Sequence, residues 1–453
     1  MFYDEILAEG ESQGAECSVG PGSRNGSVVQ GMTSAPRLLV VVGSGETSPT
    51  MVSLHQRLVG LLGARPQAVI IETPYGFQEN ADEVSHKTLR YFSGNVGFPV
   101  QVAPGLRAPA EGQGPDLERG VAAVRSAGWL FAGPGSPSYA IRQWQGSPIA
   151  QALRDRLKQP GITIFASAAA CCLGDFALPV YEIYKVGATP AWLEGLGLLR
   201  ELDIEAAFIP HYNNAEGGTH DTRYCYMGER RLRVLEQQLP PEAAILGLDE
   251  HTAAVFDLAA QTVSVHGRGK LTVRRGDTSQ DLSNGAGMPL PDLLRLIAGT
   301  ARATSPGPAL EDRAGTRETS DTATIEETAR ACERRYGEAE QAGDAETMVS
   351  AILSLEEGLA AWSTDTLDTD QLDRARAVLR SLVTRLGMVS ERGLRDPAEG
   401  LAPAVEPLLA VRGRLRERGD YALADAVRDA LSAAGVEIQD TRQGSRWELA
   451  RSP

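Results

Sequence analysis

The 453-residue chain has few of the residue patterns that announce a particular chemistry, and each shortage closes off a class of function. Its five cysteines, Cys17, Cys171, Cys172, Cys225 and Cys332, show neither C-x-x-C nor zinc-type spacing. Neither a metal cluster nor a disulfide framework is therefore expected, and the thiols read as reduced. Positive charge is also short, with 44 Lys+Arg against 59 Asp+Glu, a net charge of −15. That excludes broad non-specific binding to nucleic acid, though not a local contact. No apolar run approaches the ~20 residues needed to cross a bilayer, so no membrane partner is expected. Residues 1–34 lack a basic stretch followed by an apolar core and do not read as a secretory leader. Their Gly, Ser and Glu content predicts a disordered extension and makes Met32 a second candidate start. A cytoplasmic protein of two or three domains is the expectation, and 42% hydrophobic with 23% charged residues is ordinary for a globular one.

What is present begins at Arg37–Val42, a continuous apolar run of the kind buried in parallel sheets. It breaks at G-S-G-E (Gly43–Glu46), and a helical segment follows from Ser48 to Leu62. The Gly-rich turn can serve as a tight corner or hold an anion, and the pattern does not separate the two. No cofactor is expected. Further apolar strands follow at 68–72, 100–102, 128–132, 162–166, 204–209 and 244–247, with helices between them at 115–127, 147–157 and 229–237. The alternation predicts an α/β fold with a mostly parallel sheet over residues 35–302. Runs at 253–257, 262–266 and 271–274 add a β-meander, and 291–300 a closing helix. Ligands of such sheets sit beyond the carboxyl ends of the strands.

At one such end, I-T-I-F-A runs into Ser167 and a row of small residues, A-A-A-C-C. A strand turning sharply into a helix with Ser at the corner is the recipe of a nucleophile elbow, in which the N–H of Ala168 becomes an oxyanion donor. The usual flanking glycines are replaced by Phe165 and Ala169. A second donor can come from Gly133 or Gly135 in G-P-G-S, but not from Pro134, which has no N–H. A hydroxyl nucleophile needs a base and an acid to orient it. Of the six histidines, His211, His220 and His251 fall on loops at this edge, and His211 directly ends a buried strand. Asp249 and Glu250 end the next one. The chain order Ser167, His211, Glu250 thus draws a candidate triad from three strand ends.

The stretches P-H-Y-N-N-A-E-G-G-T-H-D-T-R-Y and L-G-L-D-E-H, with G-S-G-E, F-A-G-P-G-S and A-S-A-A-A before them, resemble the aspartyl dipeptidase (dipeptidase E) and cyanophycinase family. That family comprises serine peptidases on a class I glutamine-amidotransferase-like fold. The resemblance covers roughly residues 36–275 and implies Ser167 as nucleophile, His211 as base and Glu250 as acid. It implies a small peptide or amide as substrate, with Arg223 holding an acidic side chain; Tyr212 and Glu46 are further substrate-side candidates. Arg suits a carboxylate because its planar fork binds bidentately, and a surface ion pair is the competing assignment. A cysteine nucleophile would stand at position 167, whereas Cys171 and Cys172 lie a helical turn beyond.

Residues 303–322 are a Pro/Gly/Ser/Thr linker, after which the period becomes helical, at 325–342, 345–361, 372–386 and 405–418. Pro403 and Pro407 mark a break, dividing a mainly α-helical domain at 323–400 from a tail at 401–453. In the tail, Asp420 caps a helix ended by Gly435, and 436–440 with 445–449 read as a hairpin. R-L-R-E-R-G-D-Y-A-L-A-D-A-V-R-D-A-L…G-V-E-I-Q-D-T-R-Q-G-S-R-W resembles the C-terminal tail of cysteinyl-tRNA synthetases, and the helices before it their DALR-type domain. The resemblance implies tRNA as a partner, through Arg412, Arg414, Arg428, Arg446 and Trp447. No H-I-G-H or K-M-S-K-S element is present, and residues 321–453 carry 17 basic against 25 acidic side chains. Two functions follow as expectations: a hydrolase fused to a synthetase-like module, or a catalytically degenerate amidotransferase-like binding domain working with tRNA or a synthetase.

Overall fold

A computed structural model describes residues 35–63, 65–217, 220–300, 307–308, 323–362, 370–394, 397–441 and 444–450. The expected N-terminal extension, and the expected linker apart from residues 307–308, lie outside these.

Five strands form the heart of the first sheet: β1 (Arg37–Val42), β2 (Ala68–Ile71), β3 (Gln101–Val102), β4 (Trp129–Ala132) and β5 (Gly161–Ala166). They pair in parallel in the order β1-β5-β4-β2-β3. In β2, β4, β5 and, beyond Arg37, β1 the side chains are buried on both faces, which is why β1, β2 and β5 read as unbroken apolar runs. One face packs Val40, Ile70, Ile164 and Trp129 with the aromatic group Tyr91, Phe92 and Phe98. The other packs Val41, Ile71 and Phe165 with Ile141, Trp144 and Leu153.

A second sheet is built from β6 (Phe176–Ala177), β7 (Leu193–Glu194), β8 (Ala206–Ile209) and β9 (Ala244–Leu248), with β8 and β9 parallel. The chain then returns to the first sheet through β10 (Thr252–Asp257) and β11 (Thr262–Gly267), antiparallel beside β1. Strands β12 (Lys270–Arg275) and β13 (Thr278–Ser283) extend the second sheet, while β14 (Ala286–Pro289) and β15 (Gly307–Pro308) extend the first. The expected meander is therefore split between two sheets. Their junction, between β9 and β10, is the three-residue stretch Asp249–His251 that carries Glu250.

Helices Ile325–Ala342, Ala345–Trp362 and Asp370–Leu394 pack around Tyr336, Leu355, Trp362 and Leu382. The first opens on a capping box between Thr324 and Glu327. The expected break at Pro403 and Pro407 is corrected: one helix spans Pro397–Glu417 with both prolines inside it. The two are four residues apart and solvent-exposed, so water can satisfy the carbonyls their missing N–H groups release. Helix Tyr421–Ala433, capped by Asp420, packs Leu431 on Val405 and on the hairpin β16 (Val436–Thr441) and β17 (Gly444–Leu449).

Candidate active site

Ser167 stands at the corner between β5 and the short helix Ala168–Cys171, with φ 49° and ψ −117°. A non-glycine residue held there is strained, and it is the geometry that turns a strand sharply into a helix with the side chain at the bend. The flanking glycines prove unnecessary to the turn. Phe165 points into the core edge-on to Trp144, and Ala169 is buried with its N–H on the Gly133 carbonyl at 3.2 Å. The bend is held instead by a bond to a neighbouring strand end, Ser167 N–H to Val42 O at 3.1 Å, and by the first helical bond, Cys171 N–H to Ser167 O at 3.2 Å.

His211, two residues beyond the end of β8, is held at φ 50° and brings its imidazole Nε2 to 3.0 Å from Ser167 Oγ. Its Nδ1 lies 2.9 Å from Glu250 Oε1. The same carboxylate oxygen accepts from Asn214 Nδ2 at 3.1 Å, and the Glu250 N–H donates to Asn213 Oδ1 at 2.8 Å. The asparagines of P-H-Y-N-N thus fix the acid from both side chain and backbone. The unusual polarity of the tract was their only sequence signal. Of the two acids open at this strand end, Asp249 instead accepts the Lys270 N–H at 3.1 Å.

Burial opposes protonation of His211, but the hydrogen bond to Glu250 and the charges of Glu250 and Glu46 outweigh it, and the pKa is pushed up to about 9. Burial works against the ionised Glu250 as well, yet its bonds to His211 and Asn214 hold its pKa below the ordinary value. The pair therefore favours a charged imidazolium–carboxylate state.

Ala168 contributes the first N–H of its helix, which has no intrahelical acceptor. Gly133 lies against the elbow, and a Cβ on it would fall 2.8 Å from the Phe131 ring and 3.7 Å from Glu46 Oε1. Gly135, at φ 139°, is pressed onto Pro74, where a Cβ would fall 2.0 Å from the carbonyl oxygen. Glu46 is fully buried beside this loop. The G-S-G-E turn acts as a close-packed corner: a Cβ on Gly43 would meet Asp249 O at 2.0 Å, and one on Gly45 the His251 ring at 2.2 Å.

Tyr212 does not line the site. Its ring lies over Gly247 and 4.6 Å from Tyr224, inside the core of the second sheet. Next to His211, Tyr212 points to the opposite side of its strand end, so its assignment as a substrate contact is corrected. Arg223 is half-exposed, with Nε and Nη2 each 2.9 Å from Asp221, and it stacks over Tyr224. It makes the competing surface ion pair. Cys171 and Cys172 are buried helix residues behind Ser167, and burial pushes the Cys172 thiol far up.

In the tail, Arg414, Arg428 and Arg446 are exposed. Arg412 is 2% exposed and donates to Asp440 Oδ1 at 2.7 Å and Oδ2 at 2.9 Å, so it is corrected to a structural residue. Trp447 is half-buried against the core of the tail, opposite Ile438 in the hairpin.

No family model matches the chain. Among curated proteins it is similar to cysteine–tRNA ligases: that of Thermosipho melanesiensis at 34% identity over 102 residues (22% of each chain), and that of Chlorobium luteolum at 37% over 94 residues (19% of this chain, 20% of that protein). The ligase of Halorhodospira halophila is 41% identical over 81 residues, 17% of this chain and 18% of its own. The chain thus spans about a fifth of the length of these relatives. Among solved structures it is similar to a peptidase from an acI-B1 actinobacterium, at 22% identity and a TM-score of 0.46 over 56% of this chain and 97% of that one. It is also similar to a Listeria monocytogenes EGD-e protein named for Peptidase E, at 14% identity and a TM-score of 0.32 over 55% and 99%. Among the described residues no helix is long and apolar enough to cross a membrane.

Proposed function

We propose that the α/β region is a serine-type hydrolase that cleaves a small peptide or amide through an acyl-Ser167 intermediate. The observation that carries this reading is the relay Ser167 Oγ–His211 Nε2–Glu250 at 3.0 and 2.9 Å, set on a strained strand-to-helix corner. Three strand ends far apart in sequence supply it, and a turn selected only for packing has no need of an imidazole and a carboxylate in line.

In this mechanism, Ser167 Oγ attacks the carbonyl carbon while His211 Nε2 accepts its proton. Glu250 holds the other ring nitrogen, fixing the tautomer and stabilising the imidazolium. The oxyanion takes hydrogen bonds from the Ala168 N–H and from the N–H of Gly133 or Gly135. His211 then protonates the leaving amine, and a water activated by the same ring releases the acid. Glu46, buried beside Gly133, adds negative charge that favours the imidazolium. The close pairing of Arg223 with Asp221 supports a structural rather than a substrate-holding role for it. The test is a fluorophosphonate probe: labelling of the folded protein that disappears in Ser167→Ala is the expected result, and no labelling of the wild type would remove covalent catalysis.

The partner of the C-terminal region is tRNA, a reading supported by its similarity to part of the cysteine–tRNA ligases and by the solvent exposure of Arg414, Arg428 and Arg446. Because the region is net acidic, the contact is local and its salt dependence shallow. Binding of tRNA at two stated salt concentrations, compared with a triple variant at those arginines, tests it. Equal binding by both proteins would reject the contact.

A further inference from the structure

The synthetase-like helices touch the α/β region at the stretch that carries the triad's acid. Trp362, the last described residue of its helix and 5% exposed, sets its ring edge-on to His251, with centroids 5.5 Å apart and planes at 86°. Arg268 forms an ion pair with Glu327, its Nη2 lying 2.7 and 2.8 Å from the two carboxylate oxygens, in the first turn of helix Ile325–Ala342. Both contacts converge on one residue, because the Arg268 N–H donates to the His251 carbonyl at 3.0 Å.

His251 directly follows Glu250 and is held at φ 52°, a left-handed conformation strained for a non-glycine residue. Its Nδ1 lies 3.0 Å from Thr50 Oγ1 and 3.3 Å from Ser48 Oγ, its N–H donates to Ser44 O at 3.1 Å, and its ring covers Gly45. Burial lowers its pKa to about 4, so it packs against Trp362 as a neutral ring. Thr252 Oγ1, one residue further on, donates back to the Glu250 carbonyl at 2.9 Å. A strained turn with the acid on one side and two contacts from the helical domain on the other is placed to transmit a shift of those helices to the Glu250 carboxylate.

We infer that Trp362 and the Arg268–Glu327 ion pair are positioning residues for the catalytic acid: the helical domain holds the Glu250–His251 turn in the geometry that keeps Glu250 on His211. The inference rests on the hydrolase reading and goes beyond it, because it makes the fused helices part of the active site's support.

The full chain tests it by two readouts. With a fluorophosphonate, Trp362→Ala slows the rate of bond formation at saturating probe about tenfold, the scale of a small misplacement of a catalytic group, and leaves the probe's binding constant unchanged. Arg268→Gln slows it by a smaller factor, and Trp362→Phe restores it. The second readout is the NMR resonance of the His211 Nδ1 proton shared with Glu250, which shifts or is lost in Trp362→Ala and Arg268→Gln. If wild-type Ser167 does not react, the hydrolase reading fails, and the resonance still decides the contact. If both variants keep the wild-type rate, or in unreactive protein the wild-type resonance, with unchanged thermal unfolding, the inference is overturned. Should Trp362→Ala unfold the helices, Arg268→Gln carries the test alone.

Discussion

The α/β region and the C-terminal tail place their charged residues in opposite ways. In the first, a base and two carboxylates are taken out of water and set against one another beside Ser167, on loops that end buried strands. In the second, Arg414, Arg428 and Arg446 stay in solvent, and the guanidinium that is buried, that of Arg412, is neutralised by Asp440. A buried unlike pair shifts pKa values and prepares chemistry. An exposed cation costs little to keep and offers only attraction. The difference is the physical ground on which the proposed hydrolase site is placed in the α/β region and the proposed tRNA contact in the tail.

The sharpest way to break that contrast is to remove the nucleophile or the base. Ser167→Ala and His211→Ala should each lower hydrolysis by as much as about 10⁶-fold with folding intact, measured by turnover of a small amide and by circular dichroism. Glu250→Gln should cost roughly 10³–10⁴-fold, because the imidazole loses its orientation. It should also move the pH profile. In the wild type the charged His211–Glu250 pair contributes stability that is complete below the ordinary histidine pKa of 6.5 and lost as pH rises through about 9, and the unprotonated base becomes available over the same range. Labelling by a fluorophosphonate should therefore rise with pH up to about 9 in the wild type. In Glu250→Gln the charge and the charge-assisted hydrogen bond of Glu250 are lost while burial and the Glu46 charge remain, so the midpoint should fall below that of the wild type.

Smaller effects test the packing on each side. Phe165→Ala opens a cavity beside Trp144 and should cost about 3–5 kcal/mol in denaturant unfolding. Arg412→Ala leaves Asp440 without its main partner and should destabilise the tail by about 1–3 kcal/mol, with little specific effect on tRNA binding. Arg428→Ala should do the reverse, leaving stability within about 0.5 kcal/mol of the wild type while lowering the salt slope of tRNA binding. If Arg412→Ala and Arg428→Ala proved interchangeable, the distinction between buried and exposed guanidinium groups in the tail would fall.

Much of the fold was legible because burial on both faces writes a strand as an unbroken apolar run, as in β1 and β5. The triad's order was legible for a related reason: Ser167, His211 and Glu250 each follow such a run at its end. Less could be read where the cause lies across space. Asn213 and Asn214 gave only a local excess of polarity, although they hold the acid. Tyr212 and His211 are neighbours in sequence, and only the turn at φ 50° decides which of them faces Ser167. The helix through Pro403 and Pro407 was hidden because local propensity disfavours it, whereas packing of Val405 on the hairpin and water on the exposed face permit it.

The order of the elements, the elbow serine and the helix-plus-hairpin tail were determined by the amino-acid sequence alone, because period, capping and turn chemistry are local properties. Tertiary structure decided which side chains meet: that Glu46 lies beside Gly133, that Arg412 is turned inward, and that Trp362 rests on the residue next to Glu250. Such contacts join residues as much as 111 positions apart, counting from His251 to Trp362, and no local preference specifies them. They are set by how the two sheets and the helices close on one another.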